Sequence, residues 1–185
     1  MDIVIYLLIF QGLLGGFDVF WNHEWKEKLP STPTAALEQK IHGVRELLYA
    51  VIFLGLAWFS WNGVWAWVLF VVIAIEILLT AWDFVEEDKT RRLSPGERVT
   101  HLVLSMSGGA YVALQIPVLL AWSRLPSGLD RVDYGLQSWI LSILGAGVLA
   151  WGVRDLWSGI ALSRAAKSMP RTSTRPCPEI TSAAS

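Results

Sequence analysis

One cysteine in 185 residues, Cys177, leaves no disulfide framework and no thiolate metal site to consider. It falls in a Pro/Ser/Thr-rich stretch whose composition predicts a disordered, reduced, cytoplasmic tail over 168–185. Charge is scarce as well. Asp, Glu, Lys and Arg make up 17% of the chain, the net charge is −1, and no basic face is present that would take nucleic acid. The first apolar run lacks a basic leader and an Ala-x-Ala cleavage site, so it reads as a retained helix, not a signal peptide. Histidine is limited to His23, His42 and His101.

What the chain does have is apolar surface. It is 54% hydrophobic with 11 tryptophans and a mean hydropathy of +0.45, which excludes an ordinary soluble domain. Five stretches approach the ~20 residues that a spanning helix needs. They are Ile3–Trp21, His42–Trp61, Val64–Trp82, His101–Trp122 and Ser138–Ile160. The second reaches that length only if Arg45 and Glu46 lie inside it. The fold class expected is therefore all-α: a polytopic membrane protein of five transmembrane helices over 1–165. Only Asn62-Gly63 remain between segments two and three, predicting a tight antiparallel hairpin there.

Charge in the connections sets an orientation. Lys26, Lys28, Lys40, Lys89, Arg91, Arg92, Arg98, Arg164, Lys167, Arg171 and Arg175 lie on one side, against Arg124 and Arg131 on the other. The positive-inside rule then predicts the N-terminus outside and the C-terminus in the cytoplasm of a bacterial-type inner or plasma membrane. Trp21, Trp25, Trp82 and Trp157 would mark the inner interface, and Trp58, Trp61, Trp65, Trp122 and Trp139 the outer one.

The chain also repeats itself. Twice an apolar segment ends in a lone aspartate and the next opens with Glu-x-x-x-His: Asp18 then Glu38-x-x-x-His42, and Asp83 then Glu97-x-x-x-His101. Gln11 and Glu76 each lie seven residues before their aspartate, with a Leu-Leu pair between. Repeat one covers about 3–61 and repeat two about 64–122, so the first four helices are expected to form a pseudo-symmetric four-helix bundle. The fifth helix, about 138–160, has no counterpart and is assigned a buttressing place, with Gly145, Gly147 and Gly152 allowing close approach.

An α-helix puts residues i and i+4 on one face, so each Glu-x-x-x-His aims a carboxylate and an imidazole the same way. The expected metal ligands are Asp18, Glu38, His42, Asp83, Glu97 and His101. Gln11, His23, Glu46 and Glu76 are secondary candidates, Glu46 because His42-x-x-x-Glu46 has the same spacing. Simpler readings compete. Glu97 completes a capping box with Ser94; Glu24, Glu86, Glu87 and Asp88 read as solvated loop charges; His23 reads as an interfacial histidine. Asp18 and Asp83 read equally as interfacial aspartates. Glu76, inside Ile-Ala-Ile-Glu-Ile-Leu-Leu, needs either an ion pair with Arg45 or a functional role.

Four carboxylates and two imidazoles on four helices resemble the ligand arrangement of the ferritin-like di-iron carboxylate proteins, in which two helices carry a carboxylate and two carry Glu-x-x-His. Here the spacing is one residue longer and the lone acids are aspartates. The resemblance implies two first-row metal ions, iron first, with manganese or zinc as alternatives. A haem held by His42 and His101 is a separate, runner-up reading. The function expected is a membrane-bound oxidase, hydroxylase or desaturase acting with oxygen on a lipid-like substrate and fed by a separate electron donor. A cation or proton carrier and a non-catalytic membrane interaction protein are the alternatives. Lipids are the expected surroundings and nucleic acid is not an expected partner.

Overall fold

The computed structural model describes residues 1–168; Cys177 and the rest of the tail beyond Ser168 lie outside the described residues. The chain is helical almost throughout, with α1 (Asp2–Asp18), α2 (Ala36–Trp58), α3 (Val64–Thr90), α4 (Pro95–Trp122) and α5 (Leu136–Ser168). Five helical stretches, Asp2–Lys26, Pro33–Trp58, Val64–Thr90, Pro95–Trp122 and Leu136–Ser168, are long and apolar enough to cross a membrane. Each runs past its apolar run. The extra turns carry most of the charged residues of interest, because nothing in Asp83–Thr90 or Glu97–Thr100 breaks a helix.

Helix ends follow local chemistry. α1 passes into a π-helical stretch over Val19–Lys26, and Lys28 in the left-handed region (φ 51°) stops the winding. Pro30 and Pro33 then shape two short 3₁₀ turns, Leu29–Ser31 and Pro33–Ala35, that lead into α2. At α4 the Ser94 hydroxyl accepts the Glu97 backbone N–H at 3.3 Å, and Pro95 occupies the first helical position.

The link between α2 and α3 differs from the tight hairpin expected. α2 stops at Trp58, and Phe59–Asn62 forms a strand, β1, paired antiparallel with β2, Gly128–Arg131, from the α4–α5 connection. Aromatic residues favour the pleated conformation, and Asn62 Nδ2 clamps the pair by donating to Asp130 Oδ2 at 2.6 Å. Gly63 turns the chain at φ 60°, where a Cβ would meet the Ser127 Cα at 2.6 Å. Trp61 belongs to this cap and is buried against Gly55.

The helices surround one apolar core built by Ile5, Leu8, Phe53, Leu56, Leu69, Tyr111 and Leu141. α1 packs on α4 and α5, α2 packs on α3 and α5, while α3 and α4 touch less and α1 scarcely meets α2. The closest pair is α2–α5, so the fifth helix is a full member of the core. Glycines set that approach. A Cβ on Gly43 would stand 2.7 Å from the Leu156 nitrogen and 2.9 Å from the Gly152 carbonyl, and one on Gly159 would stand 2.9 Å from the Ala36 carbonyl. Gly145 and Gly152 are at this contact as expected, whereas Gly147 faces open space.

Candidate metal centre

All three histidines meet at the end of the molecule opposite the sheet. His23 comes from the π-helical stretch after α1, His42 from the second turn of α2 and His101 from the second turn of α4. The His23 ring centroid lies 4.5 Å from that of His42 and 6.3 Å from that of His101. Around them stand Asp18 from α1, Asp83 and Glu87 from α3, and Glu38 and Glu97 from the first turns of α2 and α4, all buried.

The two copies exchange partners. His101 Nε2 lies 3.0 Å from Asp18 Oδ2, and His42 Nε2 lies 3.1 Å from Asp83 Oδ2. Each histidine thus meets the aspartate of the other copy, as α1 packs on α4 and α2 on α3. One turn beyond the aspartates the copies diverge. Asn22 follows Asp18 and donates to its Oδ1 at 2.6 Å, whereas Glu87 follows Asp83 and aims at the imidazoles. Glu87 Oε1 is 3.9 Å from His42 Nε2 and its Oε2 is 3.5 Å from His101 Nδ1. His23 Nε2 is 3.7 Å from Asp18 and 3.9 Å from Glu97.

Among the described residues, two groups come close enough to share an ion: Asp18, His23 and His101, and His23, His42 and Glu87. Each is a two-histidine, one-carboxylate set. Both nitrogens of His23, Nε2 of His42, Nδ1 of His101, Asp83 Oδ1 and Glu87 Oε1 are buried without a hydrogen-bond partner among the described residues. Each such atom costs about 1–3 kcal/mol if nothing binds it.

The carboxylates of Glu38 and Glu97 are held by one guanidinium. Arg91, just beyond α3, donates from Nη2 to Glu97 Oε1 at 2.6 Å and from Nη1 to Glu97 Oε2 at 2.9 Å. Its Nε and Nη2 donate to Glu38 Oε1 at 3.3 and 3.2 Å. Burial alone would lower the Arg91 pKa, but the Glu97 hydrogen bonds and the charges of Glu38, Glu97 and Glu87 outweigh it and hold the guanidinium above its ordinary value. The capping box at α4 is therefore half made, because the Glu97 carboxylate is turned to Arg91.

A second polar layer lies one to two turns deeper along the helices. Arg45 Nη1 donates to Asp83 Oδ2 at 2.5 Å and its Nε to Glu76 Oε1 at 3.4 Å, so the predicted Arg45–Glu76 pair is present. Thr80 also donates to Glu76, at 2.7 Å. On the other side Ser107 donates to Gln11, whose amide lies 3.4 Å from the Tyr49 hydroxyl. Among the described residues no hydrogen bond or ion pair joins Glu46 to His42, and the Glu46 Cβ packs by Gly152 on the α5 side.

Two residues lie deeper in this set than their places in the sequence suggest. His23, a secondary ligand candidate also read as interfacial, is 1% exposed and belongs to both groups. Glu87, read as a solvated loop charge, is also 1% exposed. Asp18 and Asp83 are buried members of the cluster. A signal for Glu87 was available, since Asp83-x-x-x-Glu87 has the spacing that aligned each Glu with its His. Comparison with family models, curated proteins and solved structures finds no match to this chain.

Proposed function

We propose that the chain is an integral membrane metalloprotein with a two-ion carboxylate–histidine centre on its cytoplasmic side. The observation that carries this reading is the pair of two-histidine, one-carboxylate groups meeting at His23. His23 can serve only one of them at a time, and the group that keeps it has, with open positions, the donor set that non-haem iron oxygenases use. A single imidazole would have to lose its ring proton to hold two ions. His23 therefore serves the position of Asp18 and His101, and Asp83 completes that of His42, with Glu87 reaching towards both. Glu38 and Glu97, expected as ligands, are paired with Arg91 instead.

Charge supports a bound cation. Asp18, Glu38, Glu76, Asp83, Glu87 and Glu97 are buried around the guanidiniums of Arg45 and Arg91. With neutral imidazoles these carboxylates outnumber the guanidiniums, and a buried excess of one sign must be met by bound cations or by protons. The crossed His–Asp pairs, equal within 0.1 Å, favour two pseudo-symmetric helix-pair repeats.

Oxygen and nitrogen donors suit iron first, then manganese or zinc. The activity we assign is oxygen-dependent oxidation of an apolar, lipid-like substrate, with electrons from a separate donor. A cation or proton carrier is the second reading, favoured by the polar layer of Arg45, Glu76, Tyr49 and Gln11. That layer ends in apolar core at Leu56, Leu69 and Leu119, which argues against a continuous path. Elemental analysis of detergent-purified protein after anaerobic reconstitution tests the proposal. About two first-row ions per chain are expected; well below one ion, or a haem Soret band in their place, would reject it. Reporter fusions in the 89–98 loop and after Arg164 should report cytoplasm.

A further inference from the structure

The ring of acids around Arg91 is itself a cation site, filled by a side chain. Glu38, Glu87 and Glu97 come from the ends of three helices, α2, α3 and α4, and enclose one guanidinium. Resting on the metal reading above, we propose that these three carboxylates form the entry site for the divalent cation, with Arg91 as its resident, displaceable occupant.

Two of the three acids already face both ways. Glu87 Oε1 is 3.7 Å from Arg91 Nη2 and 3.9 Å from His42 Nε2, and it has no hydrogen-bond partner among the described residues. Glu97 Oε1 is 2.6 Å from Arg91 and 3.9 Å from His23 Nε2. An ion that replaced the guanidinium would be one ligand exchange away from the imidazoles.

The position of Arg91 fits such an exchange. It follows α3 in extended conformation (φ −159°, ψ 163°), so its side chain can withdraw without unwinding a helix. Arg91 and His101 are partly exposed, at 13% and 12%, whereas the side chains of Glu38, Glu87 and Glu97 around the guanidinium are at most 1%. The opposite side is closed by the turns at 29–35, where Leu29 and Ala35 are buried and Ser158 donates to the Pro30 carbonyl at 3.0 Å.

The test is the rate of cobalt(II) uptake, and of stripping by EDTA, in the full chain in detergent, for wild type, Arg91→Gln and Arg91→Lys. Arg91→Gln should exchange at least tenfold faster with a saturating cobalt content no lower than wild type. Arg91→Lys should fall between, because an ammonium keeps the charge but cannot bridge three carboxylates as a guanidinium does. If Arg91→Gln does not fold, Arg91→Lys alone carries the comparison. Unchanged rates, or a lower saturating content in the variants, would overturn the entry site while leaving the metal centre standing. No cobalt uptake by wild type or either variant would overturn the metal reading, and this inference with it.

Discussion

Replacing His23 by alanine separates a metal ligand from a structural histidine. The ring is 1% exposed, yet neither nitrogen has a hydrogen-bond partner among the described residues. The substitution therefore breaks no hydrogen bond. It leaves a small cavity but also removes two orphaned polar atoms, costs of opposite sign, so metal-free stability should move by no more than about 1–2 kcal/mol. The metal-loaded protein should respond differently. An ion at a hundredfold excess over its Kd stabilises the folded state by about 2.7 kcal/mol, and a hundredfold weaker site retains only about 0.4 kcal/mol of that. Losing even an outer-shell partner weakens metal sites about 10–100-fold, and a direct ligand belongs at the upper end. The assay is thermal unfolding in detergent with and without cobalt(II), paired with elemental analysis. The reasoning is refuted if His23→Ala keeps the full metal-dependent gain, or if it unfolds the metal-free protein.

Three further outcomes are expected. His42→Ala and His101→Ala should lower metal content by similar amounts and far from additively, since their aspartate contacts match at 3.1 and 3.0 Å and residues of one network couple; elemental analysis of singles and double checks this. Glu87→Ala should behave like a ligand loss in the same measurement, while Glu86→Ala and Asp88→Ala should leave metal content at wild type. Gly43→Leu should destabilise by at least the ~1–3 kcal/mol of an overpacked core, because it drives atoms into the α5 backbone, whereas Gly147→Ala should be neutral by thermal unfolding.

The helices were legible because apolar runs of spanning length, set off by Pro33, Gly63 and Ser94-Pro95, carry their own boundary signals. The deep acids Asp18 and Asp83 were legible through the repeat. His23 entered only as a secondary candidate, because it stands five residues from Asp18. An α-helix does not align that spacing, but the π-helical winding after Asp18 brings both residues to the cluster, and no residue in Val19–Lys26 announces it. Glu38 and Glu97 were assigned to metal because they precede histidines. Their capture by Arg91 depends on where α3 ends, and helix boundaries are what sequence fixes least. The β1–β2 pair joins segments distant in sequence, so neither strand alone disclosed it.

X-ray absorption at the metal K-edge of the reconstituted protein reads the proposed centre itself. A first shell of nitrogen and oxygen only, outer-shell scattering from imidazoles, and a second metal at about 3.5–4 Å are expected. A shell without imidazole scattering and with no neighbouring metal would contradict it.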